Sequence, residues 1–338
     1  MSGVEPSGNR SELGATGLVV SPIGLGLAAL GRPGYINLGR GTDLGHLRSV
    51  EAMEARAFEV LDAAWQGGVR YFDAARSYGR AEAFLGRWLE DRGINRDDVT
   101  VGSKWGYTYT ADWRIDAETH EVKEHSLAVL RRQWLETRER LGDRLALYQV
   151  HSLTVESSLF EDGPLLADLN HLKRGGVRIG LTTSGSRQAE AIFRALEVEV
   201  EGSRLFDSVQ ATWNLLERSA APALEEAHAA GLGVIVKEAL ANGRLTARNS
   251  AADFADRRAQ LEAQASRVGA TIDALALAAA LAQPWADVVL SGAITAGQLR
   301  SNLRALEVRW DDDAEAQLGA LGEHPDEYWS RRAALPWS

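Results

Sequence analysis

Short runs of apolar and β-branched residues recur along the chain and predict eight β-strands. Several runs are apolar at nearly every position, which is typical of a parallel strand that is buried on both faces. The runs cover residues 22–28, 69–75, 100–106, 145–153, 178–185, 206–214, 233–240 and 287–293.

Amphipathic segments with apolar residues at helical spacing separate these runs. They predict helices over residues 51–68, 81–93, 125–142, 165–176, 187–196, 221–231, 265–284 and 295–306, and several end at glycine, a common helix stop. Strict alternation of strands and helices favours an α/β fold of the closed (β/α)8 TIM-barrel type. An open, doubly wound sheet has a similar alternation and stays as the alternative.

Two connections are longer than closure of a barrel requires. They cover residues 29–49, after the first strand, and 105–121, after the third strand. Both follow a strand, so in a barrel both lie at the end that carries the active site. Long loops in compact domains are usually functional. No repeat or linker interrupts the pattern, and residues 1–338 are predicted to form a single domain.

Four polar residues lie at or just beyond the C-terminal ends of three of these strands. Asp73 and Tyr78 follow the second strand, Lys104 ends the third, and His151 ends the fourth. A lysine ammonium beside a phenol lowers its pKa by stabilising the phenolate, and a carboxylate keeps that lysine charged. A nearby histidine can orient a substrate oxygen. The four residues are therefore predicted to form a proton donor that works near neutral pH.

The composition of the chain excludes several kinds of site and partner. The chain has no cysteine, which excludes disulfides and cysteine-ligated metals, and none of its seven histidines has HExxH spacing, so no catalytic metal is expected. A net charge of −10 argues against nucleic-acid or anionic-membrane partners. No apolar run is long enough to span a membrane, and the start, MSGVEPSGNR, lacks the features of a secretory signal. We expect a cytoplasmic protein with a small-molecule partner; the sequence predicts no oligomeric state.

Several motifs together resemble the aldo-keto reductase superfamily over nearly the whole chain. They are GVRYFDAARSYGRAEAFLG, SKWG, ERLGDRLALYQVHSL, RIGLTTSG, VQATWNLL and SGAITAGQLRSNL, in this order. The resemblance implies a nicotinamide-dependent oxidoreductase on a (β/α)8 barrel. It implies that Tyr78 is the general acid, that Lys104 and Asp73 tune it, and that His151 orients the carbonyl. In reduction, hydride would pass from the nicotinamide C4 to the carbonyl carbon, and alcohol oxidation would run in reverse.

The resemblance also implies cofactor contacts. Thr182 and Thr183 stand where the family has a Ser-Asn pair that holds the carboxamide, and Gln210 matches the family's carboxamide-binding glutamine. The strand that usually offers an aromatic ring to the nicotinamide reads Lys237, Glu238, Ala239, Leu240. This is the largest departure, because a lysine cannot stack. Lys237 and Glu238 are equally well interpreted as a structural ion pair or as a substrate contact.

The cofactor phosphates are expected near the C-terminal motif. Gly292, Gln298 and Asn302 fall on family cofactor positions, whereas Ala293 and Ile294 replace residues that often grip the 2′-phosphate of NADP. Arg248 and Arg258, after the seventh strand, are the predicted replacements, because a guanidinium suits a phosphate. We expect NADP(H) in preference to NAD(H).

Aromatic residues concentrate in the two long loops. These residues are predicted to form an aromatic wall for the substrate, with packing of the loops as the alternative: Tyr35, Trp105, Tyr107, Tyr109 and Trp113. Trp105, next to Lys104, is the best candidate, and Tyr35 and Trp113 are the other principal ones.

The functional prediction is an NAD(P)-dependent aldo-keto reductase that interconverts the carbonyl of an aldehyde, ketone or sugar with an alcohol. An NAD-dependent sugar dehydrogenase is the nearest alternative. A cofactor-binding regulatory subunit on the same barrel and an unrelated barrel isomerase or lyase are the alternatives from other classes.

Overall fold

A computed structural model describes residues 10–45 and 48–337 of the chain. Eight parallel strands pair in chain order, and the last pairs with the first, so the predicted closed (β/α)8 barrel is confirmed. They are β1 (Ile23–Gly26), β2 (Tyr71–Asp73), β3 (Thr100–Trp105), β4 (Leu145–Leu153), β5 (Arg178–Thr183), β6 (Ser208–Thr212), β7 (Gly233–Lys237) and β8 (Val288–Ser291). The first nine residues, on which the expectation about a secretory signal mainly rests, lie outside the described residues.

Helices follow the strands and cover the outside of the barrel. They are α1 (Val50–Gln66), α2 (Ala81–Asp91), α3 (Leu127–Leu141), α4 (Gly163–Arg174), α5 (Gln188–Leu196), α6 (Ala221–Ala229), α7 (Ala255–Arg267), α8 (Ile272–Leu281) and α9 (Ala296–Leu303). Two more, α10 (Asp312–Leu318) and α11 (Pro325–Ala333), end the chain. None of the helices within the described ranges is both long enough and apolar enough to cross a bilayer.

The single helix predicted over residues 265–284 is wrong. Residues 265–267 end α7, and α8 begins at Ile272. Gly269 between them has a φ of +67°, a conformation that ends a helix, and Thr271 caps α8 by accepting a hydrogen bond from the Ala274 backbone N–H. The apolar periodicity of the sequence continues across this break, and the sequence therefore predicted one helix instead of two.

An antiparallel hairpin of Ser11–Glu12 and Val19–Val20 closes the N-terminal end of the barrel. Leu13 and Val20 from this hairpin pack with Tyr71, Leu147 and Ile235 in a small apolar cluster. All five side chains are inaccessible to solvent. The hairpin and this apolar cluster therefore close the N-terminal end of the barrel. The accessible end is the one formed by the C-terminal ends of the strands.

Both long loops contain local structure within the described residues. The loop after β1 contains a short helix, Arg40–Leu44, and buried Arg40 donates hydrogen bonds of 2.5–2.6 Å to the carbonyl oxygens of Ala29, Arg32 and Pro33. The loop after β3 forms a hairpin of Tyr107–Tyr109 with Glu121–Lys123. Both loops rise on the C-terminal side of the barrel and frame its mouth.

Candidate active site

A cavity of about 700 Å³ opens at the C-terminal ends of the barrel strands. Barrel enzymes carry their active sites at this end. Asp73, Tyr78 and His151 line the cavity, whereas Lys104 is fully buried beside Asp73. The two long loops, the segments after β7 and β8, α9 and the C-terminal helix α11 supply most of the remaining walls. The four residues predicted from the sequence therefore converge at one place.

Asp73 and Lys104 form a buried ion pair. The Lys104 ammonium donates to Asp73 Oδ2 and, at 2.9 Å, to the carbonyl oxygen of Ala74. The other carboxylate oxygen accepts from Gln210 Nε2 at 3.1 Å, from Gln149 Nε2 at 3.2 Å and from the Tyr71 hydroxyl at 3.2 Å. Burial lowers the pKa of Lys104, and the Asp73 carboxylate opposes that shift. The pair fixes a charged ammonium where an uncompensated one would be costly.

Tyr78 and His151 face each other across the cavity. Tyr78 Oη lies 3.4 Å from His151 Nε2, and the Tyr78 ring centroid lies 4.9 Å from Lys104 Nζ. Burial, followed by the Asp73 charge, raises the pKa of Tyr78 well above its ordinary value. Burial, with Lys104 next, lowers the pKa of His151 well below its ordinary value. At neutral pH the site therefore presents a phenol that keeps its proton beside a neutral imidazole. The prediction that the surroundings lower the pKa of Tyr78 toward neutral pH is wrong, because burial and the Asp73 charge outweigh the nearby cations.

A second cation, Arg32, stands on another side of Tyr78. Its guanidinium carbon lies 5.3 Å from the Tyr78 ring centroid, and Nη1 donates to the Ser77 carbonyl oxygen at 3.0 Å and to Glu121 Oε2 at 2.8 Å. Only 3% of Arg32 is exposed. Its charge lowers the pKa of Tyr78, against the larger effects of burial and Asp73. Sequence reasoning missed Arg32, because its partners lie 45 and 89 residues away in the chain.

The predicted carboxamide contacts are only partly in the cavity. Thr182 lines it and accepts a hydrogen bond of 2.7 Å from the Ser152 backbone N–H. Gln210 also lines it, with its amide nitrogen committed to Asp73. Thr183 is fully buried and does not line the cavity, because successive strand residues point to opposite faces. The position of Thr183 does not support the expected hydroxyl pair.

Lys237 and Glu238 do not form the ion pair that was one of their two interpretations. Lys237 Nζ donates to Thr212 Oγ1 at 2.8 Å, whereas Glu238 takes a bidentate pair from Arg332 of α11. Burial would raise the pKa of Glu238, but Arg332 and then Lys237 lower it to about 2. Both residues and Leu240 line the cavity.

Most of the remaining predicted cofactor residues line the part of the cavity formed by the segment after β8, by α9 and by residues 246–248, here called the second arm of the cavity. Gly292, Gln298 and Asn302 line it, and Asn302 Nδ2 donates to Ser291 Oγ at 2.8 Å. Arg248 lines it too, but its guanidinium is paired with Asp43 of the first long loop. Gln298 Nε2 donates to the same carboxylate at 2.8 Å.

Arg258 is not part of this arm. Its Nη1 donates to the Asn249 carbonyl oxygen at 3.0 Å, its Nε lies 3.7 Å from Glu262 Oε1 in the same helix, and it does not line the cavity. Arg258 faces the start of its own helix, and its position does not support the phosphate role expected for it.

Only some of the aromatic residues that were predicted to form a wall for the substrate line the cavity. Tyr35 lines the cavity, and Trp337 packs edge-on against it with centroids 6.4 Å apart. Trp105 is fully buried against His125, because it follows Lys104 on β3 and points to the opposite face of the strand. Trp113 donates its indole N–H to the Arg48 carbonyl oxygen at 2.7 Å and packs on Phe84. Neither tryptophan lines the cavity, and Tyr109 does not line it either. Tyr107 of the predicted set does line it, as does Trp337, which was not predicted.

The profile of the Aldo/keto reductase family matches residues 22–323, nearly the whole chain. The chain belongs to the aldo-keto reductase family. It is 28% identical to the uncharacterized oxidoreductase YrpG of Bacillus subtilis (strain 168), over 94% of this chain and 98% of that protein. It is also 28% identical to D-threo-aldose 1-dehydrogenase of Pseudomonas sp, over 74% of this chain and 73% of that one. The fold superimposes on aldo-keto reductase AKR11C1 from Bacillus halodurans (holo form) with a TM-score of 0.71 and 21% identity, over 93% and 96% of the two chains.

Membership makes this aldo-keto reductase an oxidoreductase that acts on carbonyl and alcohol groups and uses a nicotinamide cofactor. The cavity fits such a group. At Gly292 a side chain would project into open space, so the backbone is accessible to a ligand. The adjacent N-terminus of α9, capped by Thr295, is suited to a phosphate. Within the described ranges, no three His, Asp or Glu side chains are grouped to hold a metal ion.

Proposed function

We propose that this aldo-keto reductase reduces the carbonyl of a small aldehyde, ketone or sugar to an alcohol with NADP(H), and that Tyr78 is its general acid. The observation that carries the proposal is the pairing of Tyr78 Oη and His151 Nε2 at 3.4 Å in the cavity. The Asp73–Lys104 ion pair behind them supports it, because a binding protein has no need of a lysine beside a tyrosine ring.

The residues of the site suit proton donation to a developing alkoxide. The bound nicotinamide supplies hydride chemistry. A carbonyl oxygen near Tyr78 Oη and His151 Nε2 can accept hydrogen bonds from both groups. The raised pKa of Tyr78 keeps its proton in place until negative charge develops on that oxygen. After transfer, the Lys104 and Arg32 cations stabilise the phenolate that remains.

Arg248 is the proposed ligand of the NADP 2′-phosphate. It lines the cavity arm that runs along Gly292 and Gln298, and a phosphate could replace Asp43 as its anionic partner. Asp43 also supports the second candidate function, that of an NAD-dependent sugar dehydrogenase. A carboxylate at the ribose 2′-OH is typical of NAD sites, so an Asp43 that stays in the cavity arm would favour an NAD-dependent sugar dehydrogenase.

Titration with NADPH and, separately, NADH tests the cofactor, with tryptophan fluorescence as the readout. Arg248→Ala should weaken NADPH about tenfold or more, because a charge-assisted hydrogen bond contributes about 1.5–3 kcal/mol, and should leave NADH within about twofold. Arg258→Ala is the matched control, since Arg258 lies off the cavity. Equal losses for both nucleotides in Arg248→Ala would contradict the assignment, and wild-type preference for NADH would favour the dehydrogenase.

Binding and turnover measurements together distinguish the proposed oxidoreductase from a regulatory subunit and from an isomerase or lyase. Tight nucleotide binding without measurable oxidation of NADPH by any aldehyde or sugar would favour a regulatory subunit. Failure to bind either nucleotide would favour an isomerase or lyase on the same barrel.

A further inference from the structure

Lys237 brings an unpaired cation to the cavity at the end of β7. Its ammonium donates one hydrogen bond, to Thr212 Oγ1 at 2.8 Å, and lies 5.7 Å from the Trp329 ring centroid. None of the side chains in residues 10–45 and 48–337 forms an ion pair with it, since the neighbouring Glu238 is taken by Arg332. An ammonium has three N–H donors. The remaining two are free to act on a bound molecule.

Lys237 lines the same cavity as Tyr78 and His151. Its charge contributes to lowering the pKa of His151, while Lys104 and Asp73 in turn act on Lys237. The segment that begins at Lys237 continues through Leu240 to Arg248, and all three line the same cavity. A dinucleotide that reaches from Tyr78 to Arg248 therefore passes the end of β7, with its reactive ring on the Tyr78 side and beside Lys237.

The redox states of the dinucleotide differ in charge only at that ring. The nicotinamide is a cation in the oxidised form and is neutral in the reduced form, whereas the phosphates are common to both. Two like charges a few ångströms apart in a partly desolvated cavity repel strongly. The neutral ring escapes this repulsion.

We propose that Lys237 makes the site distinguish the two redox states of the nucleotide, so that the reduced form binds more tightly than the oxidised form. The inference rests on the proposed function, because it requires a nicotinamide at the Tyr78 end of the cavity. Weaker binding of the oxidised nucleotide speeds its release after reduction. Lys237, at the largest departure from the family pattern, thereby limits inhibition of carbonyl reduction by the oxidised nucleotide.

The protonation state of Lys237 gives the discrimination a pH dependence. Burial lowers the pKa of Lys237 to about 8, and Glu238 opposes that shift. The charged or titratable groups that act on it from neighbouring elements are Glu238 and Arg332 at the mouth, and Lys104, Asp73 and His151 at the centre of the barrel. Because the group is charged below its pKa, the discrimination should be present below about pH 8 and fade above it.

The test measures dissociation constants of NADP⁺ and NADPH by equilibrium titration of the full chain at pH 6.5 and 9.5. If the wild type binds NADH instead, the NAD⁺/NADH pair is used. The wild-type ratio of oxidised to reduced dissociation constants should fall about tenfold from the lower to the higher pH. Titration of the 2′-phosphate cancels in this ratio, because both nucleotides carry it.

Two variants assign the effect to Lys237. At both pH values, Lys237→Met should give the low ratio that the wild type shows at pH 9.5, mainly through tighter binding of the oxidised nucleotide. Lys237→Arg should keep the high ratio at both, because a guanidinium stays charged. Lys173→Met is the matched control, since the Lys173 ammonium binds the carbonyl oxygens of Arg204 and Leu205, outside the cavity lining.

The outcomes separate the two proposals. If wild type and Lys237→Met have the same ratio of oxidised to reduced dissociation constants at pH 6.5, the proposed role of Lys237 is overturned. The proposed oxidoreductase function would still stand. A wild-type ratio that does not change with pH would also count against the role of Lys237, even if Lys237→Met failed to fold. A wild type that binds neither form would overturn the proposed function itself.

Discussion

Charges on two sides of its ring control the reactivity of Tyr78. Lys104 Nζ and the Arg32 guanidinium carbon lie 4.9 and 5.3 Å from the ring centroid. A neutral phenol gains little from them, whereas a phenolate gains from both. Burial favours the neutral form before proton transfer. Burial and the Asp73 charge thus keep the pKa of Tyr78 raised, while the Arg32 charge opposes them and favours the phenolate.

Tyr78→Phe removes the proton donor and keeps the ring. We expect turnover to fall by about 10²–10⁴-fold, the contribution of a positioned general acid. Nucleotide affinity should stay within about twofold, because the phenol is not among the proposed phosphate or ribose contacts. Single-turnover oxidation of NADPH, measured beside fluorescence titration, checks both expectations. Full turnover in the variant would refute the general-acid role.

The sequence predicted which residues form the centre of the site better than it predicted its walls. Lys104 was found because a lysine in an apolar strand needs a buried partner, and Asp73 is that partner. Trp105 was misplaced although strand alternation already assigns it to the face opposite Lys104. Asp43 and Arg332 were missed because no local pattern relates Asp43 to Arg248, or Arg332 to Glu238, across 205 and 94 residues.

Among the elements, helix α11 is bound to the barrel by polar contacts. Asn214 Nδ2, just beyond β6, donates to the Tyr328 hydroxyl at 3.0 Å, and Arg332 holds Glu238 beyond β7. The residues after α11 carry Trp337 over Arg32, with the guanidinium carbon 4.9 Å from the ring centroid. The position of this helix therefore decides how much of the cavity mouth is covered.

The Arg332–Glu238 pair should make stability depend on acid pH. The pKa of Glu238 falls from 4.5 to about 2 on folding, so the pair stabilises the protein above about pH 4.5 and is lost as the pH drops toward 2. The shift corresponds to a free energy on the order of 3 kcal/mol. Arg332→Gln should lower the free energy of unfolding at pH 7 and flatten its decline between pH 4.5 and 2.

Denaturant unfolding at several pH values measures this effect. Arg331→Gln is the control, because Arg331 pairs with Asp253 where both side chains are more than half exposed, and such pairs contribute about 0–1 kcal/mol. If Arg332→Gln and Arg331→Gln unfolded alike at every pH, the ion pair would not anchor α11.

In the molecule as a whole, the two ends of the barrel differ in what fills them. The hairpin of Ser11–Glu12 and Val19–Val20 fills the N-terminal end with apolar side chains, and the C-terminal end carries the ion pairs and the cavity. The alternation of strands and helices predicted the eight strands and favoured their closure into a barrel, whereas this closing hairpin, with strands of two residues, left no readable pattern.

Leu13→Ala tests this division between the two ends. Leu13 is fully buried in the cluster with Tyr71, Leu147 and Ile235, so truncation leaves a cavity and should lower the free energy of unfolding by about 2–5 kcal/mol. Because Leu13 itself lies in the hairpin that closes the opposite end of the barrel from Tyr78, kcat/KM at 25 °C should be unchanged. Leu135→Ala, at an exposed position, should change neither quantity. A large loss of kcat/KM in folded Leu13→Ala would show that packing at the closed end of the barrel governs the geometry of the open one.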